Sequence, residues 1–322
     1  MRAVCVIGLG LIGGSVLRAA ATAGRPVWGA TASEADAAEA RAEGFDVVDA
    51  ESALRRAAEA DALVVVATPL TAVREVLRQI AEHAPDALLT DVVSVKDPVD
   101  AEVRSLLPSA RYAGGHPMAG VSSSGWSAGS GELFAGAAWA VIVEENTTLE
   151  AWREAAQLAL DCGAQVVPTS ASAHDSAVAR VSHLPHLFAA VLAAVGADGG
   201  PLSLSLAAGS FRDGTRVAGT APELVRAMTE GNRVALLDAV DDALGRLGAA
   251  RGSLASTGGL KSTVDFGHAA RRAFEDLASS ERASATVQLN ATALERLREL
   301  GERGGRVLAL SAETASVELP VT

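Results

Sequence analysis

Through the first half of the chain, short apolar runs alternate with segments whose apolar positions recur every three or four residues. The runs Ala3–Ile7, Val27–Ala30, Ala62–Ala67, Leu88–Val93, Tyr112–Gly114, Ala138–Val143 and Gln165–Val167 read as strands. The first of them carries no charge and reads as buried on both faces. Between them, Ala35–Ala42, Ala53–Ala60 and Thr71–His83 carry helical periodicity. Such alternation predicts an α/β fold, a doubly wound parallel sheet with helices on both faces. Several strands end in small or polar residues: Thr68-Pro69, Asp91, Ser94 and Gly115-His116. Ligands of such sheets bind beyond the carboxyl ends of the strands, so these ends are predicted to line one crevice.

After Pro168 the strand signal stops. Ser170–Val195, Ala221–Leu247, Ser253–Leu277 and Ala291–Arg303 read as helices, with glycine-rich joints at Gly196–Pro201 and Gly258-Gly259. Strand–helix units followed by helices alone predict two domains: a nucleotide-type sheet domain over 1–168 and an all-helical domain over 169–285. Residues 286–322 are expected to be a C-terminal helix and tail containing one strand-like run, Val307–Leu310. The Ala- and Leu-rich helices carry little charge over several turns, which predicts burial against a second copy, a homodimer.

The first strand runs into Gly8-Leu9-Gly10-Leu11-Ile12-Gly13, and a helical pattern follows with Ile12, Val16, Ala19 and Ala20 on one face. In this setting the glycines have separate physical tasks. Gly8 makes the tight turn, Gly10 lets a pyrophosphate approach the backbone, and Gly13 lets the helix pack on the strand. Unpaired N–H groups and the positive end of the helix dipole then face the phosphates. The expected dinucleotide contacts are Gly8, Gly10, Leu11, Ile12 and Gly13, with Thr68 and Pro69 at a neighbouring strand end and Thr31 and Ser33 after the second strand. That second strand ends without the acid that accepts from ribose hydroxyls in an NAD site; Thr31-Ala32-Ser33 comes first, then Glu34. Loss of the acid removes repulsion of a 2′-phosphate, yet no Arg or Lys stands beside the hydroxyls. The choice between NAD and NADP is open and leans to NADP.

Composition narrows the partners. With 322 residues, 49% of them hydrophobic, the chain can bury two cores. A formal net charge of −12 argues against nucleic acid or an anionic membrane surface as a general partner. Cys5 and Cys162 offer no disulfide framework, the N-terminus has no leader pattern, and apolar windows such as Ala62–Thr68 are too short to span a bilayer. A cytoplasmic protein is expected.

Four polar clusters carry the candidate chemistry: Asp91–Lys96, Gly114–Gly120, Ser182–His186 and Gly209–Arg216. His183 and His186 share a helical face and His174-Asp175 lies upstream, which invites a metal. Pro185 interrupts the pair, however, and no Cys or acid completes a four-ligand set, so no metal is expected.

Taken in order, these clusters and the glycine loop (GLGLIGGS, DVVSVK, GGHPMAG, SHLPH and GSFRDGTRVA) resemble the prephenate/arogenate dehydrogenase family of tyrosine biosynthesis, over roughly residues 1–280. The resemblance implies a Rossmann domain followed by a helical dimerisation domain. It implies oxidative decarboxylation of prephenate or arogenate, in which a hydride leaves ring C4 for the nicotinamide and the ring carboxylate departs as CO2. The C4 hydroxyl must lose its proton, and a near-neutral pKa suits His to that task. By resemblance His116 takes this role, and Ser94 hydrogen-bonds the same hydroxyl or the nicotinamide side. Lys96 is a cation supporting the substrate site from behind, His186 faces the substrate with His183 in support, and Arg216 grips a carboxylate with Arg212 one turn earlier. The alternatives are strand-end capping for Ser94, a solvated lysine at Lys96 and a solvated surface face for the arginines.

The chain departs from the family after GGHPMAG, where Val121–Ser124 replaces an acid found in several relatives, which leaves prephenate against arogenate open. It is also too short for a complete C-terminal regulatory domain, so tight control by tyrosine through one is not expected. Other Rossmann-plus-helical dehydrogenases, of the β-hydroxyacid or imine-reducing kind, commonly place a Lys in the first long helix of the second domain, and residues 170–195 contain none. A non-enzymatic NAD(P) sensor would require no strand-end His beside an Arg-bearing helix.

Overall fold

The structure is a computed structural model describing residues 1–121 and 123–321. Ser122, in the departure after GGHPMAG, lies outside the described residues. Five strands, β1 (Val4–Ile7), β2 (Val27–Ala30), β3 (Leu63–Val66), β4 (Leu88–Asp91) and β5 (Arg111–Tyr112), form a sheet in the order β2-β1-β3-β4-β5. All its pairings are parallel. The helices α1 (Leu11–Thr22), α2 (Glu34–Ala42), α3 (Ala50–Glu59), α4 (Leu70–His83) and α5 (Asp97–Leu106) connect them.

Two-residue alternation explains why both faces are covered. Val4, Val6, Leu63 and Val65 point into one apolar layer with Val16, Leu17 and Ala20 of α1. Cys5, Ile7, Val64 and Val66 point into the other, against Leu54 of α3, Leu77 and Ile80 of α4 and Val103 of α5. The doubly wound expectation holds for this sheet.

The later strands form a second, mixed sheet. β6 (Gly115–Pro117) runs antiparallel to β7 (Ala138–Ile142), and α6 (Leu149–Asp161) carries the chain to β8 (Gln165–Thr169), which is parallel to β7. The helical part follows: α7 (Ala171–Val178), a π-helical turn at Ala179–His183, α8 (Leu184–Asp198), α9 (Gly200–Ser205) and α10 (Gly209–Thr215). A 3-10 turn at Arg216–Gly219 precedes α11 (Pro222–Gly231), α12 (Arg233–Ser256) and α13 (Lys261–Ser279). The π turn sits where Pro185 removes an N–H donor, so the helix widens by a residue and continues instead of ending. The expected single helix over Ala221–Leu247 is two, because Asn232 leaves helical geometry at φ −101°, ψ 33°.

The C-terminal segment is more structured than a helix and tail. β9 (Arg282–Gln288), α14 (Ala293–Glu302), β10 (Arg306–Leu310) and β11 (Thr314–Pro320) complete a sheet ordered β6-β7-β8-β10-β11-β9. Only β10 has an apolar run. In β11 small Ala315 and Val317 alternate with polar residues, and β9 is an exposed edge with little apolar pattern.

One further expectation is corrected. By length and composition, the continuous helix Ala171–Asp198 is long and apolar enough to cross a membrane. Its apolarity accumulates only because α7, the π turn and α8 join into one helix. The same helix buries His174, Asp175 and His183 while leaving Val181, Val191 and Val195 exposed.

A Cβ on Gly301 would lie 1.8 Å from the Pro168 carbonyl oxygen, so α14 touches β8 with no room to spare. Gly301→Ala is expected to lower stability by about 1–3 kcal/mol through overpacking. Chemical denaturation reads this directly; an unchanged midpoint would contradict the close approach.

Candidate active site

The nucleotide end begins where β1 meets α1. Gly8 has φ +103°, and a Cβ there would meet the Ala67 carbonyl oxygen at 2.6 Å. A Cβ on Gly13 would lie 1.8 Å from the Gly8 carbonyl oxygen, so the first turn of α1 rests directly on the loop. A Cβ on Gly10 would meet nothing within 4 Å, which leaves its backbone open to a ligand. Gly10 precedes Leu11 and Ile12 at the start of α1, and no side chain caps that end. Beyond β3, the Thr68 hydroxyl is buried without a partner, and Pro69 leads into α4. An uncapped helix start, open glycine backbone and an orphaned hydroxyl fit the pyrophosphate of a dinucleotide.

After β2, Thr31 and Ser33 already hold local turns. The Thr31 hydroxyl accepts from the Ser33 N–H at 3.3 Å, and the Ser33 hydroxyl caps α2 by accepting from the Asp36 N–H at 3.2 Å. Each hydroxyl keeps its own proton to donate. The segment after β6 is pinned beside them, a contact that sequence reasoning missed. Asp36 accepts from the Trp126 N–H at 2.7 Å, and Glu43 accepts from the Trp126 indole at 2.8 Å. The Arg18 guanidinium stacks 3.7 Å from the same ring centre. The signal was a single Trp within a Ser/Gly-rich loop.

At the ends of β4 and β6 lies a buried polar cluster. Lys96 is fully enclosed; its ammonium pairs with Asp91 and donates to the Gly115 carbonyl at 2.6 Å. The Tyr112 hydroxyl donates to the other Asp91 oxygen at 2.7 Å. Burial pulls the Lys96 pKa down while the Asp91 carboxylate pulls it back up. Burial excludes the solvated alternative for Lys96 and any direct contact with a substrate: the side chain ties β4 to β6 from inside the wall. Ser94 is half-buried in the same β4–α5 connection.

His116, on β6, is buried, and its Nδ1 lies 2.8 Å from His174 Nε2 on α7. His174 Nδ1 in turn lies 2.7 Å from Asp175 Oδ1. The Asp175 carboxylate accepts from the Lys96 and Asp97 N–H groups at 2.8 and 2.9 Å, which caps the start of α5. Asn232 donates to the Asp175 carbonyl at 2.7 Å and contacts His183 Nδ1 at 3.1 Å. Neither the role of His174-Asp175 nor that of Asn232 was read from sequence; the break at Gly231-Asn232 was the available signal. Burial drives the His116 pKa well below its ordinary value, with His174, Lys96 and His183 adding to the fall. Burial likewise pushes His183 down to about 4, against the pull of Asp175.

His183 Nε2 and His186 Nδ1 are buried without hydrogen-bond partners. His186 is half-buried at the start of α8; burial lowers its pKa, the Val217 backbone opposes this and Arg216 adds to it. The 3-10 turn therefore brings Arg216 beside His186. Arg212 and Arg216 are exposed, and neither has an ion pair among the described residues. No group of three metal-ligating side chains occurs among the described residues.

A glycine cradle at the ends of parallel strands, facing a buried histidine relay supplied partly by a helical domain, defines a Rossmann-type nucleotide-binding protein. Comparison with known proteins makes the assignment narrower. Residues 16–168 match the family described as prephenate dehydrogenase, nucleotide-binding domain, and residues 170–257 match prephenate dehydrogenase, dimerization domain. A prephenate dehydrogenase of Bacillus subtilis is 33% identical over 74% of this chain and 66% of its own length. A cyclohexadienyl dehydrogenase of Zymomonas mobilis is 31% identical over 80% of this chain and 89% of its own. A crystal structure from Corynebacterium glutamicum, described as a candidate prephenate dehydrogenase, is 47% identical with a TM-score of 0.83, covering 87% of this chain and 90% of that one. The chain belongs to the prephenate dehydrogenase family. It spans 66% and 61% of the length of the Bacillus subtilis and Lactococcus lactis relatives.

Burial lowers the pKa of both His116 and His183, which gives stability a pH dependence. The unfolded chain takes up protons near the ordinary histidine value of 6.5, whereas folded His183 does so only near 4. The contribution of these histidines is therefore fully present above 6.5 and is lost as pH drops toward 4. Melting temperature measured across this window is expected to decline with acidification, and His183→Gln is expected to flatten part of that slope. Identical slopes in the two proteins would contradict the assignment.

Proposed function

We propose that the chain is an oxidoreductase that carries out oxidative decarboxylation of prephenate or arogenate with NAD or NADP. The observation that supports this best is His116 itself, a buried, neutral histidine at the edge where the strand ends carry the dinucleotide cradle. A nicotinamide dinucleotide held at the Gly8–Gly13 loop would supply the acceptor for the hydride of ring C4. His116 accepts the proton of the C4 hydroxyl, for which a neutral imidazole is required. Ser94 orients that hydroxyl, and the Arg216 guanidinium holds a substrate carboxylate beside His186, with Arg212 one turn away. Lys96 acts from behind, fixing the wall on which His116 stands.

Relatives act on both substrates by name: prephenate dehydrogenase in Bacillus subtilis, and a Synechocystis arogenate dehydrogenase 26% identical to this chain with a TM-score of 0.73. The cyclohexadienol ring common to both substrates is the part that His116 and Arg216 would address. The working division is a nucleotide domain to residue 168 and a helical domain ending with α13 at Ser279, with the C-terminal strands from β9 onward joined to the first domain's second sheet. The exposed Val264, Phe266, Phe274 and Leu277 of α13 support a homodimer through the helical domain. Cys5 and Cys162 are buried free thiols with pKa values pushed up to about 12 by burial, which suits a reducing cytoplasm.

Turnover of both substrates with both cofactors tests the reading. His116→Asn is expected to lower kcat by about 10²–10⁴ with a smaller effect on KM. A variant with near-unaltered kcat would remove His116 from the reaction.

Cofactor choice is tested at the end of β2. Thr31→Asp is expected to supply the missing ribose acceptor and repel a 2′-phosphate, moving preference toward NAD by about 1–3 kcal/mol. Unmoved kcat/KM ratios for NAD and NADP would place discrimination elsewhere.

A further inference from the structure

Hydrogen-bond chemistry assigns the protons between Asp175 and His116. The Asp175 carboxylate accepts from the Lys96 and Asp97 N–H groups, one at each oxygen. The same Oδ1 that accepts from Lys96 lies 2.7 Å from His174 Nδ1, so that nitrogen carries a proton. A neutral His174 then has only a lone pair at Nε2. His116 Nδ1 sits 2.8 Å from that lone pair and must donate to it. The remaining nitrogen of His116, Nε2, is left without a proton.

We propose that His174 and Asp175 are positioning residues that hold His116 as the Nδ1–H tautomer, with Nε2 bare as the proton acceptor. The proposal rests on the reading of His116 above. When Nε2 takes the hydroxyl proton, the new imidazolium still donates from Nδ1 to His174, and its charge is drawn toward the Asp175 carboxylate. No proton leaves the relay in this step. The wrong tautomer would present an N–H to the hydroxyl and could not act as a base. Two further contacts keep the relay in place. Asp175 is clamped by the start of α5, and its carbonyl is held by Asn232, so its carboxylate cannot swing away from His174.

Asp175 also caps a helix, so its substitution would mix two effects, and His174 is the cleaner position. His174→Leu removes the acceptor, whereas His174→Gln places an amide oxygen near the lost Nε2. His174→Leu is expected to lower kcat about 10- to 100-fold with KM nearly unchanged, and His174→Gln to recover most of it. Nitrogen-15 NMR of the intact protein, labelled at its six histidines, reads the tautomer directly. His116 is expected as Nδ1–H in the wild type, a measurement that does not depend on any variant folding. Wild-type His116 found as Nε2–H, or His174→Leu with unaltered kcat, would overturn the relay. Failure of the wild type to turn over either substrate, or an active His116→Asn, would instead overturn the functional reading and leave the tautomer result standing.

Discussion

The contact on which the rest depends is the Asp175 carboxylate on the first residues of α5. It is made from α7, the helix that follows β8, to the connection that follows β4. One side chain thus joins the nucleotide half to the helical half, caps a helix and orients His174. A buried acceptor that satisfies two backbone N–H groups is costly to lose, because the orphaned donors would remain in an apolar setting. The geometry of His116 is consequently set by the packing between domains, not by its own short strand.

The Lys96–Asp91 pair shows why that packing tolerates charge. Burying two ions costs more than their attraction returns unless their remaining hydrogen-bonding positions are filled. Here they are: Asp91 also accepts from Tyr112 and from the Val93 N–H, and Lys96 donates to Gly115. Gly114 and Gly115 are needed for this closeness, since a Cβ on either would lie 2.7 Å from the Tyr112 hydroxyl or the Asp91 carbonyl. The glycine pair before His116 is therefore a requirement of the ion pair beneath it.

What was legible in the sequence follows from how each feature is encoded. The parallel strands announce themselves because burial on both faces demands uninterrupted apolar residues, as in Leu63–Val66. The glycine loop is equally local. β9 and β11 were not legible because β9, an edge strand, is built from Ala, Ser and Thr, and β11 beside it interrupts its apolar positions with Ser316, Glu318 and Pro320, so both look like loop. The histidine relay was hidden for another reason: His116 and His174 are 58 residues apart, and their meeting depends on how the two halves pack. The full burial of Lys96 was not legible because a charged residue just before a helix is ordinarily solvated. Only its three-dimensional neighbours make burial tolerable.

The substrate side is built on less of the chain's own packing than the nucleotide side. Arg212 and Arg216 lie on α10 and the 3-10 turn, which pack against α8, and α8 keeps little of its surface buried within the chain. The glycine cradle, by contrast, stands on β1 and β3, both enclosed between helices. The exposed apolar face of α8, Val191, Leu192 and Val195 included, therefore lies on the same helix that carries His186 and supports the two arginines. Covering that face should act on substrate recognition before it acts on the nucleotide. The contrast follows from burial: the glycine cradle is enclosed by its own chain, whereas α8 and the arginine-bearing turn beside it present an apolar face that the chain leaves uncovered.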